Sequence, residues 1–159
     1  MKFAKVSLEK ESSVKIDFNI GEITTAIGAK RQILLIHYSS QREATWRDLQ
    51  FMNAMRLAAV NLWSTDALIL DFENLRYSGG DTMEFLFQNP YPLPSTALQK
   101  IFEGDSEKRF PIVAICSSAN RAALTTLVRD EMGTDPSKIL FSCLGEAAVE
   151  VERALQTGL

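Results

Sequence analysis

The chain has 159 residues, of which 46% are hydrophobic and 23% charged, and its formal net charge at pH 7 is −3. This length suits about one domain, and the hydrophobic content excludes a disordered chain. The mild acidity disfavours nucleic acid, whose binding depends on clustered lysine and arginine. No apolar stretch approaches the ~18 residues of a membrane span, and the first residues lack the apolar run of a signal peptide, so a cytoplasmic protein without membrane contacts is expected.

Strands are predicted near the N-terminus. Residues 2–8 and 14–20 alternate apolar and polar side chains, and the polar residues 10–13 between them suit a hairpin loop. Residues 22–27 form a weaker third segment. Residues 33–36 are a continuous apolar run, the pattern of a strand covered on both faces.

A helical period follows over residues 43–63, because apolar residues recur there at steps of three and four. The residues predicted to face inward are Trp46, Leu49, Met52, Met55, Ala59 and Leu62. Residues 67–70 then form a second buried strand. After a turn at 78–80, residues 81–87 suit a short helix.

The second half continues the alternation of strands and helices. Three prolines in residues 89–94 interrupt regular structure. The segments predicted after them are a short helix at 96–102, a buried strand at 111–116, a helix from 117–120 to Met132, a strand at 138–143 and a helix at 145–156. We therefore predict one α/β domain over residues 1–159, with a mixed sheet of N-terminal antiparallel strands followed by parallel strand–helix repeats.

The two cysteines, Cys116 and Cys143, lie far apart in the sequence and within apolar surroundings. A disulfide is one alternative. Two reduced, buried thiols are the preferred prediction, because disulfides are rare in cytosolic proteins and free cysteine is among the most buried residue types.

The strongest signal for a site is the turn that contains Ser78, Gly79, Gly80 and Asp81. A strand that runs into a Gly-Gly turn and a helix places backbone N–H groups at the strand's carboxyl end, where α/β sheets bind ligands and an oxyanion can be held. Asp71, Glu73 and Asp81 are the candidate acid–base carboxylates. The alternative is a tight turn that needs glycine, flanked by solvated carboxylates.

Residues 67–81 resemble the strand and oxyanion-hole turn of the ClpP/crotonase superfamily, and the resemblance extends over residues 31–130. It implies an acyl-CoA thioester substrate, with the backbone N–H of Gly79 or Gly80 as an oxyanion donor. Crotonase enzymes take a second donor from a later Gly-Gly turn, where this chain has Ser-Ser-Ala-Asn at 117–120. The resemblance thus implies a reduced, non-enzymatic relative.

Residues 66–155 also resemble the anti-sigma-antagonist (STAS) domain, with an apolar strand ending in Asp, a turn, a short helix and further strand–helix alternation. In STAS proteins the turn that corresponds to residues 77–80 can carry a phosphorylatable serine. The resemblance implies that Ser78 is this residue, although the usual Asp-Ser-Ser/Gly order is missing. Both families imply the same coarse fold.

Other reactive residues are sparse. His37 is the only histidine, which excludes histidine clusters, and it is interpreted as structural, with a general base beside a serine as the alternative. The sequence contains no P-loop, dinucleotide fingerprint, HExxH or CxxC pair, so neither a metal nor a cofactor is predicted.

Phe85, Phe87 and Tyr91 lie in a segment that mixes aromatic residues with prolines. If exposed, they are the predicted partner-binding residues, because rigid aromatic side chains bind with little loss of entropy. The alternative is that they cover the core. A homodimer through this segment is a further expectation.

The preferred hypothesis is a non-catalytic protein-binding or regulatory domain of a bacterial cytosolic protein, with a toxin-neutralising or signalling-switch role. The alternatives are a crotonase-like enzyme that acts on an acyl-CoA thioester and a STAS-like switch regulated by phosphorylation.

Overall fold

A computed structural model describes residues 12–79, 81–90 and 110–157, and of residues 81, 82 and 157 the backbone alone. Within them, five strands form one sheet in the order β1-β2-β3-β4-β5. The strands are β1 (Lys15–Thr24), β2 (Lys30–Ser39), β3 (Ala67–Asn74), β4 (Ile112–Ile115) and β5 (Leu140–Phe141). β1 pairs antiparallel with β2 and the remaining neighbours pair in parallel, which confirms a mixed α/β sheet. The strand predicted at 2–8 lies outside the described residues.

The helical elements are α1 (Trp46–Trp63), a 3₁₀ helix (Asp81–Phe87), α2 (Arg121–Thr126), a π-helical segment (Leu127–Glu131), a 3₁₀ turn (Pro136–Lys138) and α3 (Leu144–Thr157). The sequence predicted one uniform helix up to Met132, but the chain changes from α to π at Leu127. The two forms differ in their backbone hydrogen bonds, i→i+4 against i→i+5, and five residues are too few for the side-chain pattern to reveal the change. The helix predicted at 96–102 lies outside the described residues.

Two hydrophobic cores lie on opposite faces of the sheet. Because side chains alternate along a strand, Leu68 and Leu70 of β3 join the larger core under α1, the first 3₁₀ helix and α2. Ile69, between them, joins the smaller core, which Ala147 and Val151 of α3 cover. The central strand β3 is therefore buried on both faces, as its continuous apolar run predicted.

The inward face of α1 differs from the predicted one at both ends. Leu49, Met52 and Ala59 are buried, but Trp46 is 66% exposed and Leu62 is 74% exposed. At 3.6 residues per turn, both residues lie about 100° from the centre of the buried stripe. Arg56 occupies that centre, because its side chain reaches across to the first 3₁₀ helix.

The prediction of two buried thiols is correct for Cys116 and wrong for Cys143. Cys116 is buried, and desolvation raises the pKa of its thiol. Cys143 is exposed because β5 ends at Phe141, so that this cysteine lies in the turn before α3 rather than in a strand. Both cysteines are free.

Candidate functional site

The loops after β2 and β3 lie together, because parallel neighbours present their carboxyl ends at one edge of the sheet. The two loops are joined by backbone contacts. The N–H of Ser40 donates to the carbonyl of Asn74 at 3.1 Å, and that of Ala44 donates to the carbonyl of Arg76 at 2.9 Å. The Ser40 hydroxyl in turn accepts the N–H of Arg76 at 3.0 Å. These bonds hold the backbone of residues 74–76, the segment that leads into the predicted turn.

Ser78 lies where the two loops face each other. Its backbone N–H donates to a carboxylate oxygen of Glu43. The side chains of Ser78 and Glu43 are both exposed. Gly79 follows with φ of 150°, a backbone conformation that favours glycine, although a Cβ there would meet no atom within 4 Å. The turn thus needs Gly79 for its backbone path.

A pocket of about 150 Å³ lies between this turn and the helix after β4. Its lining residues are Tyr77, Ser78, Gly79, Ala123, Thr126, Leu127 and Glu131. The π-helical segment supplies one wall, and its wider turn is marked by the bond from the N–H of Met132 to the carbonyl of Leu127 at 3.2 Å. The sequence predicted the turn side of this pocket, and no helical period reveals the π side.

Asn120 connects the loop after β4 to the same edge. Its side chain is 1% exposed, and its amide donates to the carbonyls of Phe72 at 2.6 Å and Leu75 at 3.1 Å. By sequence, Ser117, Ser118 and Asn120 are alternative caps of the following helix. Asn120 holds the N-cap position of α2, but its side chain makes no capping bond there. Asn120 instead satisfies two carbonyls at the end of β3.

The crotonase resemblance requires backbone donors at this edge. Gly79 is exposed, whereas Gly80 lies outside the described residues and Asp81 is described by its backbone alone. Residues 117–120, at the position of the second donor in crotonase enzymes, include Asn120 with its amide engaged in the contacts above. The oxyanion hole and the acid–base roles of Asp81 and Glu73 stay predictions.

His37 and Asp71 form a pair on the opposite face of the sheet. They are register partners on β2 and β3, and Nδ1 of His37 lies 2.6 Å from Oδ2 of Asp71. Oδ1 of Asp71 accepts the backbone N–H of Glu73 at 2.9 Å, while the Glu73 side chain is exposed. From the sequence, His37 is interpreted as structural and Asp71 as a candidate acid–base carboxylate, with no link predicted between them. The sequence does contain a sign of this pair. His37 comes directly after the apolar run 33–36 and Asp71 directly after the run 67–70, so parallel pairing of the two runs aligns the two residues.

The predicted partner-binding segment divides between core and surface. Phe87 is 8% exposed and its ring centroid lies 6.1 Å from that of Phe72, so it belongs to the core, as the second alternative held. Phe85 is half-buried and Tyr91 lies outside the described residues. For Phe85 and Tyr91 partner binding stays a prediction.

Comparison with known proteins found no matching family model, no matching curated protein and no matching solved structure. Among the described residues, no group of three or more histidine, cysteine or acidic side chains is arranged to hold a metal ion. The described helices include none with the length and apolar character that a membrane span requires.

Proposed function

We propose that this chain is a non-catalytic regulatory domain that binds a protein partner, with phosphorylation of Ser78 as its switch. The observation that carries the proposal is the setting of Ser78. Its side chain is exposed, while its backbone N–H is held by the Glu43 carboxylate of the neighbouring loop. A modification of this hydroxyl therefore acts directly on the contact between the two loops.

A phosphate on Ser78 meets carboxylates at short range. Phosphorylation adds a charge of about −1.5 to −2 and three strong acceptor oxygens. Glu43 already bonds the N–H of the same residue, and Glu131 lines the same pocket. The phosphate repels both carboxylates and competes with Glu43 for the N–H. Phosphorylation thus favours a state in which Glu43 has left Ser78.

Trp46 supplies the binding surface beside this switch. It follows Glu43 by three residues and is 66% exposed, and tryptophan is enriched among the residues that dominate binding energy. Thr45 and Asp48 form a capping box that fixes the start of α1. A partner therefore meets a fixed Trp46 beside a loop whose conformation depends on Ser78.

The STAS resemblance supports the switch. The order of β3, turn, 3₁₀ helix, β4, α2, β5 and α3 agrees with the element order on which that resemblance is based. Ser78 lies in the turn that can carry the phosphorylatable serine in those proteins.

The crotonase-like alternative has less support. The pocket of about 150 Å³ is smaller than the roughly 300–1,000 Å³ of small-molecule sites. The alternative has a direct test, since an acyl-CoA thioester that raises the melting temperature of the protein would favour it.

The experiment is affinity capture of the tagged full chain from its own cell lysate, with the phosphorylated residues mapped by mass spectrometry. Four versions are compared: wild type, Ser78→Glu, Trp46→Ala and the control Ser118→Glu. Ser118 is an exposed serine in the loop after β4, so the control adds the same charge at another position.

We expect a stoichiometric partner with wild type and Ser118→Glu, its loss with Ser78→Glu and Trp46→Ala, and phosphate on Ser78 in cells. All variants should keep the wild-type melting temperature within about 1–2 °C, because surface changes rarely exceed 0.5 kcal/mol. Recovery of the chain alone, or equal capture by Ser78→Glu, would contradict the proposal.

A further inference from the structure

The pocket beside Ser78 has one charged wall and one apolar wall. Glu131 lines it with an exposed carboxylate, and this group has no hydrogen bond or ion pair among the described residues. Leu127 and Ala123 supply apolar surface on the helix side, and the hydroxyl-bearing Thr126 lies between them in sequence. An exposed carboxylate that lines the same pocket as apolar side chains favours a ligand with an apolar stem and a cationic end.

The π-helical segment is a second, independent indication of a site. Segments of this kind are rare within helices and are frequent at functional sites, because the wider turn gives up regular hydrogen bonding for a local shape. Here Leu127 and Glu131 are the first and last residues of the segment, and both line the pocket. The irregular turn thus places an apolar and an acidic side chain on the same wall.

We propose that this pocket receives an arginine side chain of the protein partner. The inference rests on the proposed protein-binding function and names the chemistry of its anchor residue. The pocket is open to solvent on one side, and its volume of about 150 Å³ suits a single side chain.

Arginine fits the walls better than other residues. Its methylene stem packs on apolar surface while the guanidinium stays at the mouth. The guanidinium carries five N–H donors in a planar fork, enough to reach the Glu131 carboxylate and the Thr126 hydroxyl together. None of the described lining residues is basic, so none of them competes with a guanidinium for the Glu131 carboxylate.

The test is an NMR titration of the ¹⁵N-labelled full chain with N-acetyl-arginine amide. N-acetyl-citrulline amide serves as a neutral analogue of nearly the same shape. The protein variants are Glu131→Gln, which removes the charge from the pocket, and the matched control Asp130→Asn. Asp130 is the adjacent exposed acid of the same π segment and does not line the pocket.

We expect shift changes at the amides of Ser78, Gly79, Thr126 and Leu127 with the arginine compound at millimolar concentration. Glu131→Gln should weaken this binding about three- to tenfold, the effect of losing one charge-assisted contact, and Asp130→Asn should leave it unchanged. Equal binding of the citrulline compound, an undiminished response in Glu131→Gln, or no shifts at these amides would overturn the inference.

The two proposals fail separately. A partner that is lost with Ser78→Glu but retained with Glu131→Gln leaves the switch intact and refutes the arginine anchor. Arginine binding in the pocket without phosphate on Ser78 supports the anchor and refutes the switch.

Discussion

At the scale of single residues, Asp48 is the polar centre of the N-terminal half. It is 1% exposed, and its carboxylate accepts hydrogen bonds from both sides. Oδ1 accepts the Ser12 hydroxyl and the Ser13 N–H, each at 2.7 Å. Oδ2 accepts the N–H and the hydroxyl of Thr45, at 2.9 and 2.6 Å. One side chain therefore joins the segment before β1 to the first turn of α1.

We predict that Asp48→Asn lowers the free energy of unfolding by about 2 kcal/mol, at the upper end of values for a lost cap. The amide turns an NH₂ group toward donors where the carboxylate presents an acceptor. Urea unfolding measures the change. Asp135→Asn is the control, because Asp135 is an exposed acid whose hydrogen bonds among the described residues stay within its own turn, at Ser137. A loss of similar size in both variants would contradict this role.

The same carboxylate predicts a dependence on pH. Desolvation opposes ionisation of Asp48, but the bonds from Thr45, Ser12 and Ser13 outweigh it and hold the pKa well below the ordinary value of 3.8. The unfolded chain therefore binds more protons near pH 4, and stability rises with pH there. The contribution is complete above the unfolded pKa and fades as pH falls toward the folded one. Between about pH 5 and pH 2, the free energy of unfolding of Asp48→Asn should change less steeply with pH than that of wild type, as urea unfolding at each pH would measure.

How far single residues could be predicted depended on the range of their contacts. The turn at Ser78 and Gly79 was visible because glycine and a preceding strand are local signals. The exposed Cys143 was not, because its position depends on where β5 ends. Neither were the contacts of Asn120 with carbonyls 45 and 48 residues away, since nothing in the neighbouring sequence specifies such partners.

At the scale of elements, Arg56 holds the first 3₁₀ helix against α1. The side chain is 2% exposed, and its guanidinium donates to the carbonyls of Phe85 at 3.0 Å and Gln88 at 2.9 Å. It also bonds Oδ1 of Asn53 at 2.9 Å. Burial lowers the pKa of Arg56 through desolvation. The carbonyls at the end of the 3₁₀ helix thus find their donor on a neighbouring element.

We predict that Arg56→Met destabilises the protein by about 2–3 kcal/mol, because the Gln88 carbonyl loses the Arg56 donor and the Phe85 carbonyl keeps only the long bond from the Gln88 N–H at 3.4 Å. Hydrogen exchange should accelerate at residues 85–89 before the strands respond. Arg153→Met is the control, since Arg153 is 61% exposed and pairs with Glu150 at the surface, where such pairs contribute about 0–1 kcal/mol. Unchanged exchange at residues 85–89 would contradict the role of Arg56.

The elements themselves were largely predictable, and their irregular parts were not. The strands at residues 33–36 and 67–70 are buried on both faces, and such strands are recognisable in the sequence because every residue in them is apolar. Residues 81–87 form a 3₁₀ helix and residues 127–131 a π-helical segment. The helix propensity of a residue does not distinguish hydrogen bonds between i and i+3, i+4 or i+5, so the choice among the three forms depends on tertiary contacts.

At the scale of the whole molecule, α3 alone among the described helices covers the second face of the sheet. Its Val151 is fully buried in the smaller core with Ile69 and Val113, while Val149, two residues away, is 68% exposed. The two valines have the same helix propensity but differ in burial, so the same substitution at each position measures the effect of burial alone.

We predict that Val151→Ala lowers the free energy of unfolding by about 1–3 kcal/mol, through lost burial and a small cavity. Val149→Ala should change it by less than about 0.5 kcal/mol. Chemical denaturation of both variants measures the difference. Equal losses would mean that α3 contributes through its own helicity and not through the core that it covers.

The strand order has a consequence for biosynthesis. Each described strand after β1 pairs with the strand that precedes it in the chain, so its partner has already been translated. Domains gain structure from the N-terminus as synthesis proceeds at about 5–20 residues per second. The sheet can therefore grow strand by strand during synthesis, and α3, the last described element, then covers the face of the sheet that carries the smaller core.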